Sequence, residues 1–421
     1  MRPTIGIIVS SAVMCTTAPI VMAQPQLGGF VETIQAVRVE FNRALDPSRD
    51  FLDWDHPRSE IRSQLSMRDS RERSDIFVRI DVIGDNTQNS SFVTSVDLRE
   101  AFILLRAARW LDIKAGQQVA TWGTGDLVFA NDLFPKDWVA FFVGLDDSYL
   151  KRPQSLLRIS IYSGRTTFEW AVSPRFTQDR IEDPDRISLY DPLAQTTVES
   201  GVSRFVTGHA ETAARFAGRI GDSEWALYGY WGHWPVPVGV QFDQDSAWLY
   251  HPELAAWGAS IRLPLGSFLS HAEFAYYHSL DDPHGNHPWI ANSELRAFAG
   301  TEKSLGREWT AGTQYFVIWT TPDNLAETDS PGDAPRFDEL RSTATVRITK
   351  WAMHQTLMLS VFAFWGITDQ DYHARPLVTY LFSDAVSVSV GASIIGGDEI
   401  YTTFGQYQGN SNAFARLRFS F

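Results

Sequence analysis

Over most of its length the chain alternates apolar and polar residues with a period of two, the period of a β-strand whose two faces meet different surroundings. The final segment shows it most plainly: Ala413, Ala415, Leu417, Phe419 and Phe421 share one parity, and Arg416, Arg418 and Ser420 the other, which Phe414 alone interrupts. Ile76, Val78, Ile80 and Val82 alternate in the same way with Asp75, Arg79 and Asp81, and Ala344, Val346 and Ile348 with Thr345, Arg347 and Thr349. Val386, Val388, Val390, Ala392 and Ile394 alternate with Ser387, Ser389, Gly391 and Ser393. The pattern predicts nine strands at approximately 30–41, 59–69, 74–84, 94–106, 110–122, 155–163, 166–174, 209–219 and 224–231. Nine more follow at approximately 252–263, 267–278, 292–302, 307–319, 341–350, 355–365, 373–382, 385–396 and 411–421.

The connections between these strands sort by length. Every second one is a turn of a few residues, as at Ser70–Arg73, Gly164–Arg165 and Ser383–Asp384, whereas those around 42–58, 123–154, 175–208, 232–251, 279–291, 320–340 and 397–410 are long and acidic. The brief loops at Asp85–Phe92 and Gly366–Tyr372 are exceptions. A two-layer sandwich has no reason to sort its loops, but a membrane barrel has short periplasmic turns and longer extracellular loops. The expected fold is therefore all-β: a transmembrane antiparallel β-barrel of roughly 18 strands, with 16 as the alternative count.

Composition agrees with a barrel. Of 421 residues 13% are aromatic and 15 are tryptophan, while the mean hydropathy of −0.17 is too polar for helical spans. Trp110, Trp225, Trp309 and Trp351 fall at inner strand ends on this map, and Trp122, Trp231, Trp319 and Trp365 at outer ends, as two interfacial girdles would require. At the N-terminus, Arg2, the apolar stretch Ile5–Met14 and Val21-Met22-Ala23 have the form of a secretory signal. Residues 1–23 are expected to be that signal and 24–421 a single barrel domain. The only cysteine, Cys15, falls within the signal, so disulfides and thiolate metal sites are not expected. The net charge of −14 argues against nucleic-acid binding and suits a surface of lipopolysaccharide bridged by divalent cations.

Charged residues recur at the inward parity: Arg79, Asp81, Asp97, Arg99, Arg215, Arg219, Arg262, Glu273, Arg296, Arg347, Arg416 and Arg418. So many ions need either water or partners, which predicts a polar lumen or a ladder of cross-strand ion pairs that stiffens the wall. The connection 123–154 is unlike the other loops. From Asp126 to Leu145, 13 of 20 residues are Ala, Val, Leu, Phe or Trp. Its candidate site residues are Asp126, Leu127, Phe129, Asn131, Asp132, Phe134, Lys136, Asp137, Trp138, Phe141 and Phe142. Three placements are open: a constriction or plug inside the lumen, an apolar binding surface, or a contact with the outer leaflet or another subunit.

Catalytic chemistry has no comparable signal. A nucleophile, base and orienting group cannot be placed across strands by spacing alone. His284 and His287 form a pair without a third ligand, Asp146 and Asp147 lack a calcium-loop pattern, and Gly123-Thr124-Gly125 is not followed by a phosphate-binding lysine. No cofactor and no metal are expected.

Phe421, with Phe419 and Leu417, resembles the C-terminal signal read by the barrel-assembly machinery. The run Leu98-Arg99-Glu100-Ala101, Gly116-Gln117-Gln118-Val119 and Trp122-Gly123, followed by Asn131-Asp132-Leu133-Phe134-Pro135-Lys136-Asp137, resembles Gram-negative outer-membrane porin-like families of proteobacteria, some of them encoded near RND-type exporters. The resemblance covers about 60 residues. It implies an outer-membrane channel or export conduit for a lipid-like or apolar compound, with an RND-type exporter system as a partner. An N-terminal hatch of the fatty-acid-transporter kind is not expected. The rival readings are an outer-membrane lipase or protease barrel, and a structural or adhesive barrel without transport.

Overall fold

A computed structural model describes residues 25–39, 56–86, 92–181, 186–191, 196–198, 204–205, 209–243, 246–322 and 338–421. The expected signal at 1–23 and the predicted end of the first strand at 40–41 lie outside the described residues. Eighteen strands form one sheet. In chain order they are β1 Gln26–Arg38, β2 Arg58–Ser70, β3 Ser74–Asp85, β4 Val93–Ala108, β5 Leu111–Gln118, β6 Gln154–Ser163, β7 Thr166–Ser173, β8 Glu211–Ile220 and β9 Ser223–His233. There follow β10 Glu253–Leu265, β11 Phe268–Ser279, β12 Glu294–Leu305, β13 Trp309–Thr320, β14 Leu340–Ala352, β15 Leu357–Gly366, β16 Asp371–Leu381, β17 Val386–Gly397 and β18 Asn412–Ser420.

Each strand pairs antiparallel with its sequence neighbours, and β1 pairs with β18 from Phe30↔Ser420 to Arg38↔Asn412, so the sheet closes on itself without a free edge. The backbone of Phe421 completes the seam: its N–H donates to Gly29 O and its carbonyl accepts from Gly29 N, both at 3.0 Å. Closure satisfies the backbone within the wall, which is what allows strands to cross a bilayer. Among the described residues no helix is long and apolar enough to cross a membrane.

Alternation decides which way each residue points. On β18 Leu417 and Phe419 are about half exposed on the outer surface, whereas Asn412, Phe414 and Arg416 are buried inside. On β3 Ile76 and Val82 face out, and Phe77 and Asp81 face in. The turns at one end have two to four residues, and the longer connections gather at the other. Several inner turns use glycine in the left-handed region, including Gly164 and Gly266, which suits tight hairpins.

Two local departures from the regular wall affect the lumen. Between β3 and β4 the register skips Arg99, pairing Arg79 with Glu100 and Ile80 with Leu98. This bulge turns both Arg99 and Glu100 inward, where strict alternation allows only one. Strand β5 ends at Gln118 and not at 122 as expected, and Trp122 is therefore not part of the outer girdle. It is buried inside, edge-on to Phe134 at 4.9 Å. Trp231, Trp319 and Trp365 remain exposed at outer strand ends, and Trp110 and Trp309 at inner ends.

Candidate functional site: the lumen and the segment inside it

After Gln118 the chain turns away from the wall and runs inside the barrel before rejoining it at β6. Gly123 makes the turn with φ of +85°, and a Cβ there would lie 2.8 Å from the carboxylate of Glu273. A side chain at this position would thus be both strained and in collision. Asp137 then caps the short helix α1, Trp138–Phe142, accepting from Ala140 N at 2.8 Å. Gly144, at φ +80°, ends the helix against the ring of Phe414, 2.4 Å from where its Cβ would stand.

Burial holds this segment in place. Val139, Phe141, Phe142 and Val143 are almost wholly excluded from water. They pack with Ala256, Ala275, Tyr277, Phe298, Phe362, Phe364 and Ile395, which point inward from the wall. Burying four such side chains is worth about 6–12 kcal/mol as an upper bound. The apolar side chains that distinguish this loop are therefore used in packing inside the wall, and they do not form an exposed surface.

Polar contacts fix its orientation from several directions. Asp126 binds Arg347 of β14, with Nη2–Oδ1 at 3.0 Å, and its backbone exchanges two hydrogen bonds with the Gln314 side chain of β13. Glu273 of β11 accepts from the Asn131 amide at 2.8 Å and from Thr124 N. Tyr277 donates to Ala130 O at 2.7 Å, and Asn412 of β18 donates to Phe142 O at 2.8 Å. Asp147 accepts from Arg375 of β16 at 2.7 Å, and Asp146 lies 3.8 Å from Arg416. Both acids that could have suggested a cation are thus engaged by arginine. Tyr149 donates to Asp81 of β3 at 2.7 Å, with its ring between the guanidinium groups of Arg62 and Arg99 at 4.4 and 4.7 Å.

Within the segment Lys136 donates to Phe134 O and Asp132 O at 2.6 and 2.8 Å, over the ring of Phe129 at 4.4 Å. Asp179, from the next outer loop, accepts from Lys136 N and Trp138 Nε1, both at 2.8 Å. Burial raises its carboxyl above the ordinary range, against the pull of Lys136. This contribution to stability is therefore greatest below the usual carboxylate range and fades as pH rises through the folded-state value. Leu127, with φ of +60°, packs at the edge of the apolar cluster.

The remaining inward charges form pairs along the wall. Arg79 meets Glu100 at 3.0 Å, Arg215 and Arg158 both meet Glu169 at 3.1 Å, and Arg296 meets Glu294 at 2.7 Å. Arg418 and Arg416 converge on Glu32 at 2.7 and 3.6 Å, and Asp97 lies 3.9 Å from Arg99. Arg219 pairs with Glu224 at an exposed inner turn, and Arg262 holds the inward register position opposite Glu224 and His271. The sequence reading missed the wall residues that receive the segment, chiefly Gln314, Tyr277, Arg375 and Asn412.

A closed wall with an apolar outer belt, a charged interior and a segment folded inside it defines a β-barrel of the outer-membrane kind. Compared with solved structures, the chain is similar to OccAB4 of Acinetobacter baumannii, at 10% identity with a TM-score of 0.54, covering 96% of this chain and 99% of that one. It is similar also to OccD3 (OpdP) of Pseudomonas aeruginosa, at 12% identity with a TM-score of 0.54, covering 94% and 91%. OccAB3 of Acinetobacter baumannii gives 10% identity and a TM-score of 0.53, covering 94% and 99%. These likenesses are of fold. No protein-family profile and no curated protein sequence matches the chain.

Proposed function

We propose that the protein is an outer-membrane channel for small polar solutes, with anions favoured, and that the segment between β5 and β6 is its constriction. The observation that carries this reading is Lys114 of β5 standing directly opposite Arg158 of β6, inward and in the half of the lumen nearer the short turns. Like charges opposed on a sheet are destabilising unless water screens them. Arg79 on β3 and Arg215 on β8 extend the arc, their side chains 38% and 34% exposed, with Glu100 and Glu169 as the intervening acids. A basic arc bordering water concentrates anions.

The resemblance implied a lipid-like or apolar cargo; polar solutes are preferred here because the apolar side chains of the segment pack against the wall and do not line an open surface. Transport is preferred to catalysis because the lumen acids are engaged: Glu273 holds backbone and amide N–H groups, and Asp81 holds Arg62 and Tyr149. The reading includes export through the signal at 1–23 and delivery by the assembly machinery through Phe421. The test is the reversal potential of single channels in a KCl gradient. The native protein should prefer chloride, and Lys114→Glu combined with Arg158→Glu should move the reversal potential toward cation preference. A native channel without anion preference, or a double variant with unchanged reversal potential, would defeat the reading.

A further inference from the structure

At the outer rim, where three consecutive strands begin or end, two imidazoles and a carboxylate come together. His233 closes β9 and stands directly opposite Glu253, the first residue of β10. His209 precedes β8, with its ring centroid 5.6 Å from that of His233. One potential ligand atom from each of the three lies within 4.8 Å of those of the other two.

The surroundings are those of a prepared site. His233 is only 3% exposed, and its Nδ1 has no hydrogen-bond partner among the described residues. A buried imidazole nitrogen without a partner is costly and needs an explanation. Phe176 packs on this ring at 5.1 Å, and its backbone N–H donates to His209 O at 2.7 Å, so one residue positions both histidines. Asp281 accepts from Glu253 N at 3.1 Å, which brings a further carboxylate close by. His209 is exposed, leaving the cluster open to water on one side.

We propose that His209, His233 and Glu253 bind a divalent transition metal of the zinc class, with water in the remaining position. Two neutral imidazoles and one carboxylate are a zinc donor set, whereas calcium and magnesium prefer oxygen ligands. Bonds of about 2.0–2.1 Å to a tetrahedral ion place ligand atoms roughly 3.3 Å apart. Closing the site therefore requires side-chain movements of up to about 1.5 Å, in which the exposed His209 ring takes part. The ion joins the end of the loop between β7 and β8 to the ends of β9 and β10, and so clamps part of the outer mouth.

The test uses the untagged full-length protein in detergent, titrated with Co²⁺ as an optical probe and then with Zn²⁺. One equivalent of Co²⁺ should give the visible absorption of a four-coordinate site, and Zn²⁺ should abolish it. His209→Gln, which changes an exposed residue outside the sheet, should weaken binding at least tenfold, as should Glu253→Gln in a barrel that still shows heat-modifiable migration. His284→Gln should leave binding unchanged. Absence of the absorption, or equal weakening by His209→Gln and His284→Gln, would overturn the site.

Discussion

Asp81 and Arg79 lie two residues apart on β3 and both point into the barrel, yet their surroundings are opposite. Asp81 is wholly buried beneath the inserted segment and is bound by Arg62 at 2.6 Å and Tyr149 at 2.7 Å. Arg79, nearer the short turns, keeps 38% of its side chain exposed while it meets Glu100 at 3.0 Å. The same alternation places a charge inside at both positions, but only one of them is sealed by another part of the chain. The outer part of the lumen thus behaves as a protein interior, where each ion depends on a partner, and the inner part as a wet surface. A charge pair should count for stability in the first and for conduction in the second.

The largest expected effect follows from removing a sealed partner. Asp81→Ala leaves Glu60 as the only acid bound to the buried Arg62 and removes the acceptor of the Tyr149 hydroxyl, which keeps only the bond it accepts from Gln64, at a cost of about 3 kcal/mol. The temperature at which the folded band converts to the unfolded one on gels should fall clearly, and an unchanged value would show that this end of the lumen is not sealed. Gly144→Ala should follow, at about 1–3 kcal/mol, because it forces an alanine into the left-handed region and against the ring of Phe414. Its conversion temperature should fall and its single-channel conductance should rise as the segment loosens. An alanine tolerated on both measures would mean that the helix end does not rest on β18. Glu100→Gln should be mildest, at no more than about 1 kcal/mol, since Arg79 remains in contact with water. Its signature belongs to conduction, as a stronger chloride preference. If it destabilised the barrel as much as Asp81→Ala, the contrast between the two ends would be gone.

Much of the wall was legible because period two is a local property repeated in every hairpin, and a one-residue slip would expose a whole polar face to lipid. The strand map and the sorting of turns follow from that alone. The inserted segment announced itself by apolar composition, but its location did not. A fuller signal was present: Phe77, Tyr277, Phe298, Phe362, Phe364 and Phe414 all break the inward polar parity. Most of them mark where the segment is received, since large apolar residues in a water-filled lumen need a cover. Only Phe414 stood out along the chain, because each interruption is isolated in sequence and meaningful only as a group. The bulge at Arg99 escaped notice for a related reason, as one extra residue changes parity without changing composition. His209, His233 and Glu253 are separated along the chain and meet only because three consecutive strands end at the same rim. Spacing offered only the pair His284 and His287, and among the described residues these two are not part of a three-ligand group.

Residues 126–145 lie inside the wall, and in the proposed channel they narrow the passage. The most direct test of that narrowing is single-channel conductance after the stretch is replaced by a short Gly-Ser linker, with folding verified by heat-modifiable migration. The barrel should still fold, with clearly higher conductance and weaker discrimination between chloride and potassium, because the basic arc then borders a wider lumen. A folded barrel with native conductance would contradict the narrowing.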